Sequence, residues 1–364
     1  MKGTKMKKWL LSLCMVLALA ACKDEKKENA KPVIKIGVVD ALSGKYAENG
    51  QNVRQAIEFA KQNFASSGIK FEFVFEDYGY ESKRAATAAN KLINSDRVDA
   101  LISWSSMAGN VVSPIANRSK MVHFAICNDD RVAEGKYNFT HFTPSQVLAE
   151  KLVKQIEEKN AQKVALFAVY QPALQKHTDE VERILKEKGI TIERFNFSMD
   201  NLDFDLMLEK AQQHHFDVWY LCALPPSLDI FLKTFFQKKI DVPLVAIDSL
   251  LFAQDKTSVE GMKFVTTPDG DKALLEKLTA TNGSSNYFSV GYAYDVANLL
   301  MTAYTELYNK NKKVPSSDEV ADYLLSLKGY VGAVGELTID KNGIVMSPAV
   351  VKQMQNGAPV EIEE

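Results

Sequence analysis

Cysteine is scarce in this chain of 364 residues: there are four, and two of them, Cys14 and Cys22, fall within the first 22 positions. Only Cys127 and Cys222 remain for a folded core, which excludes a disulfide scaffold. A surplus of positive charge is also lacking. Once the first 21 residues and their four lysines are set aside, 40 basic residues face 46 acidic ones, a net of −6. A nucleic-acid partner calls for a basic surface, so none is expected. Catalytic signatures are missing as well: there is no G-x-S-x-G, no glycine-rich phosphate loop and no H-E-x-x-H. His214 and His215 are neighbours and would point about 100° apart on a helix. His123, His141 and His177 stand alone in sequence. The expectation is a protein that is not an enzyme and has no cofactor and no metal.

What is present begins with a processing segment. Lys2, Lys5, Lys7 and Lys8 precede an apolar run over 9–21, the pattern of a secretory signal and too short to span a bilayer comfortably. The run closes on Leu19-Ala20-Ala21-Cys22, which resembles the bacterial lipoprotein signal motif and implies cleavage before Cys22 with lipid on its thiol. An ordinary cleaved signal with an incidental cysteine is the alternative. Residues 22–32, rich in Lys and Glu, read as a charged tether with nothing to bury. Acyl chains on Cys22 would hold the protein to a membrane while the folded part stays in water.

The remainder alternates short apolar runs with helical stripes. Residues 33–39, 71–75, 164–169, 190–197, 218–221 and 244–247 read as strands, and Val53, Ile57, Ala60 and Phe64 give the first helical stripe. Such alternation predicts α/β lobes, each a doubly wound, mostly parallel sheet, and the length asks for two of them. The rhythm breaks at 140–146, 267–270 and 329–335, three candidate crossings between lobes. The chain then closes with an expected hairpin pairing 337–339 with 350–354 around 340–343.

Residues 99–130 carry the most informative pattern. Residues 100–102 form an apolar run ending at Ser103, Trp104, Ser105 and Ser106. A helix follows through Val111 and Ile115, and a second apolar run, 121–126, opens into Cys127 and Asn128. A parallel β-α-β unit brings both strand ends to one edge of the sheet, where small ligands bind in open α/β folds. The serines fit either of two roles, helix N-cap or donors to a carboxylate beside the positive end of the helix dipole.

Several segments are similar to the leucine/isoleucine/valine-type (type I) periplasmic substrate-binding proteins of ABC importers. They are the opening Ile34-Lys-Ile-Gly-Val-Val-Asp-Ala-Leu-Ser-Gly44, the spacing from Ser105-Ser106 to Pro114-Ile115-Ala116-Asn117, Gly291-Tyr-Ala-Tyr-Asp295, and Tyr330-Val-Gly-Ala-Val-Gly335 with Asn342-Gly343. The resemblance covers about 33–357. It implies two lobes joined by three crossings, here divided as 33–143 with 269–330 and 144–268 with 331–364. It also implies a small amino-acid-like ligand, amide or carboxylate held between them, and delivery to an ABC permease in the membrane, with the protein in the cell envelope facing periplasm or exterior.

By position, the ligand groups implied are Ser105 and Ser106 for a carboxylate, the backbone around Ile126, Cys127 and Asn128, and Asp248 for an ammonium. Asp248 also fits a helix N-cap. Tyr46, Trp104, Tyr170 and Phe142 are candidate walls or, equally, filler. The chain departs from the family pattern at Asn49, at Val169-Tyr170-Gln171 and at Leu224-Pro225, so branched-chain amino acids are one ligand class among several. Cys127 and Cys222 fall at strand ends, one per lobe, and read as two separate small apolar residues or a pair across the gap. A cell-envelope lipoprotein using the fold for protein interaction or regulation is the competing function.

Overall fold

The structure is a computed structural model, and it describes residues 31–201 and 203–362. The leader 1–21, Cys22 and the tether up to residue 30 lie outside the described residues. Among those described, no helix is long and apolar enough to cross a membrane.

The first sheet grows from β1 (Val33–Asp40), β2 (Lys70–Asp77), β3 (Ala100–Trp104), β4 (Val122–Ile126) and β5 (Asn138–His141), all parallel. Every residue of β3, β4 and β5 is buried. Strands covered on both faces read as continuous apolar runs, which is why β3 and β4 stand out in sequence. Helices α1 (Ala47–Gln62), α2 (Ser82–Lys91) and α3 (Ser106–Ser119) make the crossovers. In α1 the stripe Val53, Ala56, Ile57 and Ala60 is fully buried, at the spacing of one helix face.

After β5 the chain passes to a second sheet, with α4 (Ser145–Glu157), β6 (Lys163–Val169), α5 (Pro172–Glu187), β7 (Thr191–Phe197), α6 (Asp205–Gln213), β8 (Val218–Cys222), α7 (Ser227–Gln237), β9 (Leu244–Ile247) and β10 (Lys263–Thr266). It returns through α8 (Lys272–Asn282), α9 (Val290–Asn311) and α10 (Ser317–Leu325), which cover the first sheet. Helix α9 is buried nearly all round from Val290 to Tyr304, the mark of an interior helix rather than an amphipathic one.

The third crossing differs from the sequence reading. Residues 330–346 do not leave the first lobe. β11 (Tyr330–Gly332), β12 (Gly335–Ile339) and β13 (Ile344–Met346) extend the first sheet, giving the order β11-β12-β13-β5-β4-β3-β1-β2. The chain enters the second sheet only at β14 (Val350–Gln355), which pairs with β10 and with β15 (Ala358–Glu361). The boundary expected at 331 therefore falls after Met346, and the hairpin partner of β12 is β13, not β14. The cause is local. Asp340 accepts from the N–H groups of Asn342 and Ile344, at 2.8 and 2.9 Å, and Gly343 sits at φ 83°. Together they turn the chain so tightly that Ile344 is already antiparallel to β12.

Candidate functional site at the facing strand ends

On the first lobe the carboxyl ends of β1 to β4 bring together Asp40, Asp77, Trp104, Ser105 and the run Ile126-Cys127-Asn128. Ser105 caps α3 in an uncommon conformation, φ 86° and ψ 155°, a region essentially reserved for glycine. Its hydroxyl shares a 2.7 Å hydrogen bond with the Tyr78 hydroxyl and accepts from Ala108 N at 3.4 Å. Its own N–H donates to Ile126 O at 3.1 Å, tying β3 to β4. It is an N-cap, and it stands where the first N–H groups of α3, at Ser106 and Met107, precede the helical ladder and carry the positive end of the dipole.

Behind the serines the edge is aromatic. Tyr46 packs on Tyr80 with centroids 4.2 Å apart, and both rings lie 6.3 Å from Trp104. Trp104 and Tyr78 are buried, whereas Tyr46 and Tyr80 are half-buried. Trp104 is thus core support rather than a free wall.

Two acids flank this cluster. Asp40 is fully buried; its Oδ1 accepts from Ala41 N at 2.8 Å and its Oδ2 has no partner, so burial pushes its pKa up to about 8. At Asp77 burial acts the same way but is outweighed by donors from Ser43, Gly79, Leu42 and Arg84, and the carboxyl falls below its usual range.

Cys127 is buried and free, and burial raises its thiol to about 12; Asn128 is exposed. Cys222, on the other lobe, is likewise buried and free, raised to about 11 by burial, with its Sγ 3.9 Å from Leu174 O. The two cysteines are therefore separate.

On the second lobe Asp248 opens a short 3-10 turn directly after β9. Thr266 Oγ1 donates to its Oδ2 at 3.4 Å, a long bond. Burial lifts the Asp248 carboxyl to about 6 against the opposing pull of Thr266 and the Lys352 charge. Beside it the Tyr220 hydroxyl and Ser249 Oγ are buried without a hydrogen-bond partner. Tyr170, at the end of β6, is 63% exposed. A link between the lobes runs from Lys176 Nζ, near the start of α5, to Asp130 Oδ2 in the loop after β4, at 3.4 Å. Two surface hollows, about 510 and 880 Å³, lie elsewhere on the first lobe, and neither is lined by Ser105 or Asp248.

The passages between the sheets are knotted together by side chains. Thr143, in the first passage, shares a 2.7 Å hydrogen bond with Tyr292 of α9 and donates to Pro348 O, in the last passage, at 2.9 Å. Phe142 stacks on Tyr292 at 4.4 Å, so this candidate wall belongs to the hinge. The buried His141 lies 3.6 Å from Asp295, whose carboxylate also accepts from Ala333 N and Val334 N. The 291–295 segment singled out in sequence is thus a hinge element. Lys352, buried on β14, pairs with Asp269 of the second passage at 2.6 Å. Asp40, Tyr78, Tyr80, Thr143 and Lys352 were not anticipated. For Tyr78 and Tyr80 a signal existed, two tyrosines flanking a glycine at a strand's carboxyl end.

Two doubly wound lobes, joined by three passages and presenting strand ends to one another, define the type I periplasmic binding fold. The profile of the periplasmic binding protein family matches residues 33–359, and the chain belongs to that family of extracytoplasmic binding proteins, which are not enzymes. Similar solved structures include a leucine binding protein, LivK, from Thermotoga maritima (21% identity, 91% of this chain and 98% of that one covered, TM-score 0.69). A branched-chain amino acid transporter substrate binding protein, LivJ, from Streptococcus pneumoniae in complex with isoleucine matches at 20% identity, with 91% and 100% covered and a TM-score of 0.67. An ABC transporter substrate-binding protein from Desulfitobacterium hafniense in complex with Leu matches at 19% identity, with 91% and 100% covered and a TM-score of 0.72. A comparison with curated proteins finds no match.

Proposed function

We propose that this chain is a lipid-anchored solute receptor that holds a small zwitterionic ligand of the amino-acid class between its lobes and hands it to an ABC permease. One lobe would comprise about 33–143 and 269–346, the other about 144–268 and 347–362. The ligand's carboxylate meets the Ser105 hydroxyl and the N–H groups at Ser106 and Met107, beside the Ile126–Asn128 backbone. Asp248 meets its ammonium, and Tyr46 and Tyr170 border it. The strained Ser105 carries this reading. A conformation that costs energy persists where the surroundings over-determine it, and such residues cluster at ligand clamps. The opposed chemistry adds support, because a zwitterion withdrawn from water needs donors at one end and a carboxylate at the other. The isoleucine and leucine complexes among similar folds point the same way.

Lobe closure around the hinge would be the signal a permease reads. Cys22, after cleavage, would carry the lipid that keeps the receptor at the membrane. The test is a thermal-shift screen of the mature chain against the twenty amino acids, small amides and carboxylates. A receptor gains stability as ligand binds only the folded state. Indifference to every solute would favour a protein-interaction or regulatory module on the same fold.

A further inference from the structure

The turn after β2 holds a second strained residue, and it bears on which ligand is taken. Gly79 and Tyr80 both lie at positive φ, 54° and 61°. For a bulky aromatic this is an outlier. The turn is imposed by Asp77, which accepts from Gly79 N at 2.9 Å and is itself held by Arg84 and Ser43. The result is to swing the Tyr80 ring away from the path of β2 and onto Tyr46, with Trp104 and Tyr78 at 6.3 and 5.9 Å. Tyr80 follows β2 and Ser105 follows β3, on either side of β1, yet the Tyr80 hydroxyl reaches the Ser105 side chain, so the two strained residues flank one spot. Lys45 Nζ already stands 5.3 Å over the Tyr46 ring, while the Tyr80 ring is only half-buried.

We propose that Tyr80 is a specificity-determining residue and that the ligand is an amino acid with a large planar side chain, of the aromatic class, laid against a shelf of Tyr46 and Tyr80 that the buried Trp104 supports from behind. Aromatic rings prefer neighbours at 4.5–7 Å in tilted or edge-on contact; Tyr80 already meets Tyr78 and Trp104 in that range, with Tyr46 closer at 4.2 Å, and the pattern can extend to one more ring. The second lobe presents Tyr170, 63% exposed at the end of β6, for the opposite side. A branched aliphatic side chain would use this surface only for its area. A flat ring would use its geometry as well.

This inference rests on the receptor reading and can fail without it. Calorimetry of the mature chain with L-phenylalanine, L-tyrosine and L-tryptophan should give binding on the order of tenfold tighter than with L-leucine, L-isoleucine or L-valine. Tyr80→Ala and Tyr80→Gly should erase that ratio, chiefly by weakening the aromatic ligands. The glycine variant also releases the φ strain and so guards against loss of fold. Aliphatic ligands bound as tightly as aromatic ones, or a ratio unchanged in Tyr80→Gly, would overturn the inference and leave the receptor standing. Binding by no amino acid at all would overturn both.

Discussion

Replacing Ser105 separates its energetic cost from its use. At most positions glycine is less stable than alanine by roughly 0.5–1 kcal/mol, because it has more freedom to lose. At φ 86° and ψ 155° the order should invert. Ser105→Gly removes about 1–3 kcal/mol of backbone strain. Against that stand one hydrogen bond to Tyr78, worth about 1 kcal/mol, and a few tenths for a cap whose contact with Ala108 N is long, 3.4 Å. Tyr78 keeps a second acceptor, Trp104 O at 3.2 Å. The balance is a variant as stable as wild type, or more stable by up to about 2 kcal/mol. Ser105→Ala loses the same bonds and keeps the strain, so it should be about 1–2 kcal/mol less stable. Urea unfolding of the three proteins reads the difference. Both variants should bind the ligand roughly 10- to 150-fold more weakly, the worth of a hydrogen bond to a charged group. An alanine variant more stable than the glycine variant, or undiminished affinity in both, would refute the reasoning.

Three further outcomes follow from the same geometry. Asp40 binds its proton up to about pH 8 when folded and only to about 3.8 when unfolded. Folded chains thus hold the extra proton between those values, and stability falls as pH rises from 4 to 8; Asp40→Asn should flatten that slope, and an equally steep decline in the variant would exclude this carboxyl as its source. Thr143→Val removes the two hydrogen bonds to the Tyr292 hydroxyl and Pro348 O in the hinge and should cost about 1–3 kcal/mol in urea unfolding; no loss would show that the knot contributes nothing. Asp248, near 6 without ligand, must ionise to meet an ammonium. Affinity by calorimetry should therefore weaken about tenfold for each pH unit below 6, a dependence Asp248→Asn should abolish while lowering affinity at pH 7.5.

The α/β rhythm was legible because buried parallel strands are apolar end to end, as in β3 and β4, and because α1 carries a clean stripe. Where burial is thin, legibility failed. Helix α8 buries only Leu274 and Leu278 and escaped notice. β5 is buried throughout, but Asn138, Thr140 and His141 leave it without an apolar run to read. The segment Gly329–Gly335 read as flexible because glycine is common there. Its order comes from Asp295, 38 positions away, which accepts the Ala333 N–H. Local sequence cannot announce such a partner. The placement of Ser105 and Asp248 just after strands β3 and β9 was legible in the β-α-β pattern and the resemblance. The Tyr80 strain was not, since a positive φ on tyrosine is imposed by Asp77 and leaves no mark in the residue itself.

The most direct test is a crystal structure of the mature chain with a bound amino acid. The account predicts the ligand's carboxylate within hydrogen-bond distance of Ser105 Oγ and the Ser106 N–H, with its ammonium against Asp248 from the other lobe. A ligand seated elsewhere, or one held by the first lobe with Asp248 turned away, would contradict it.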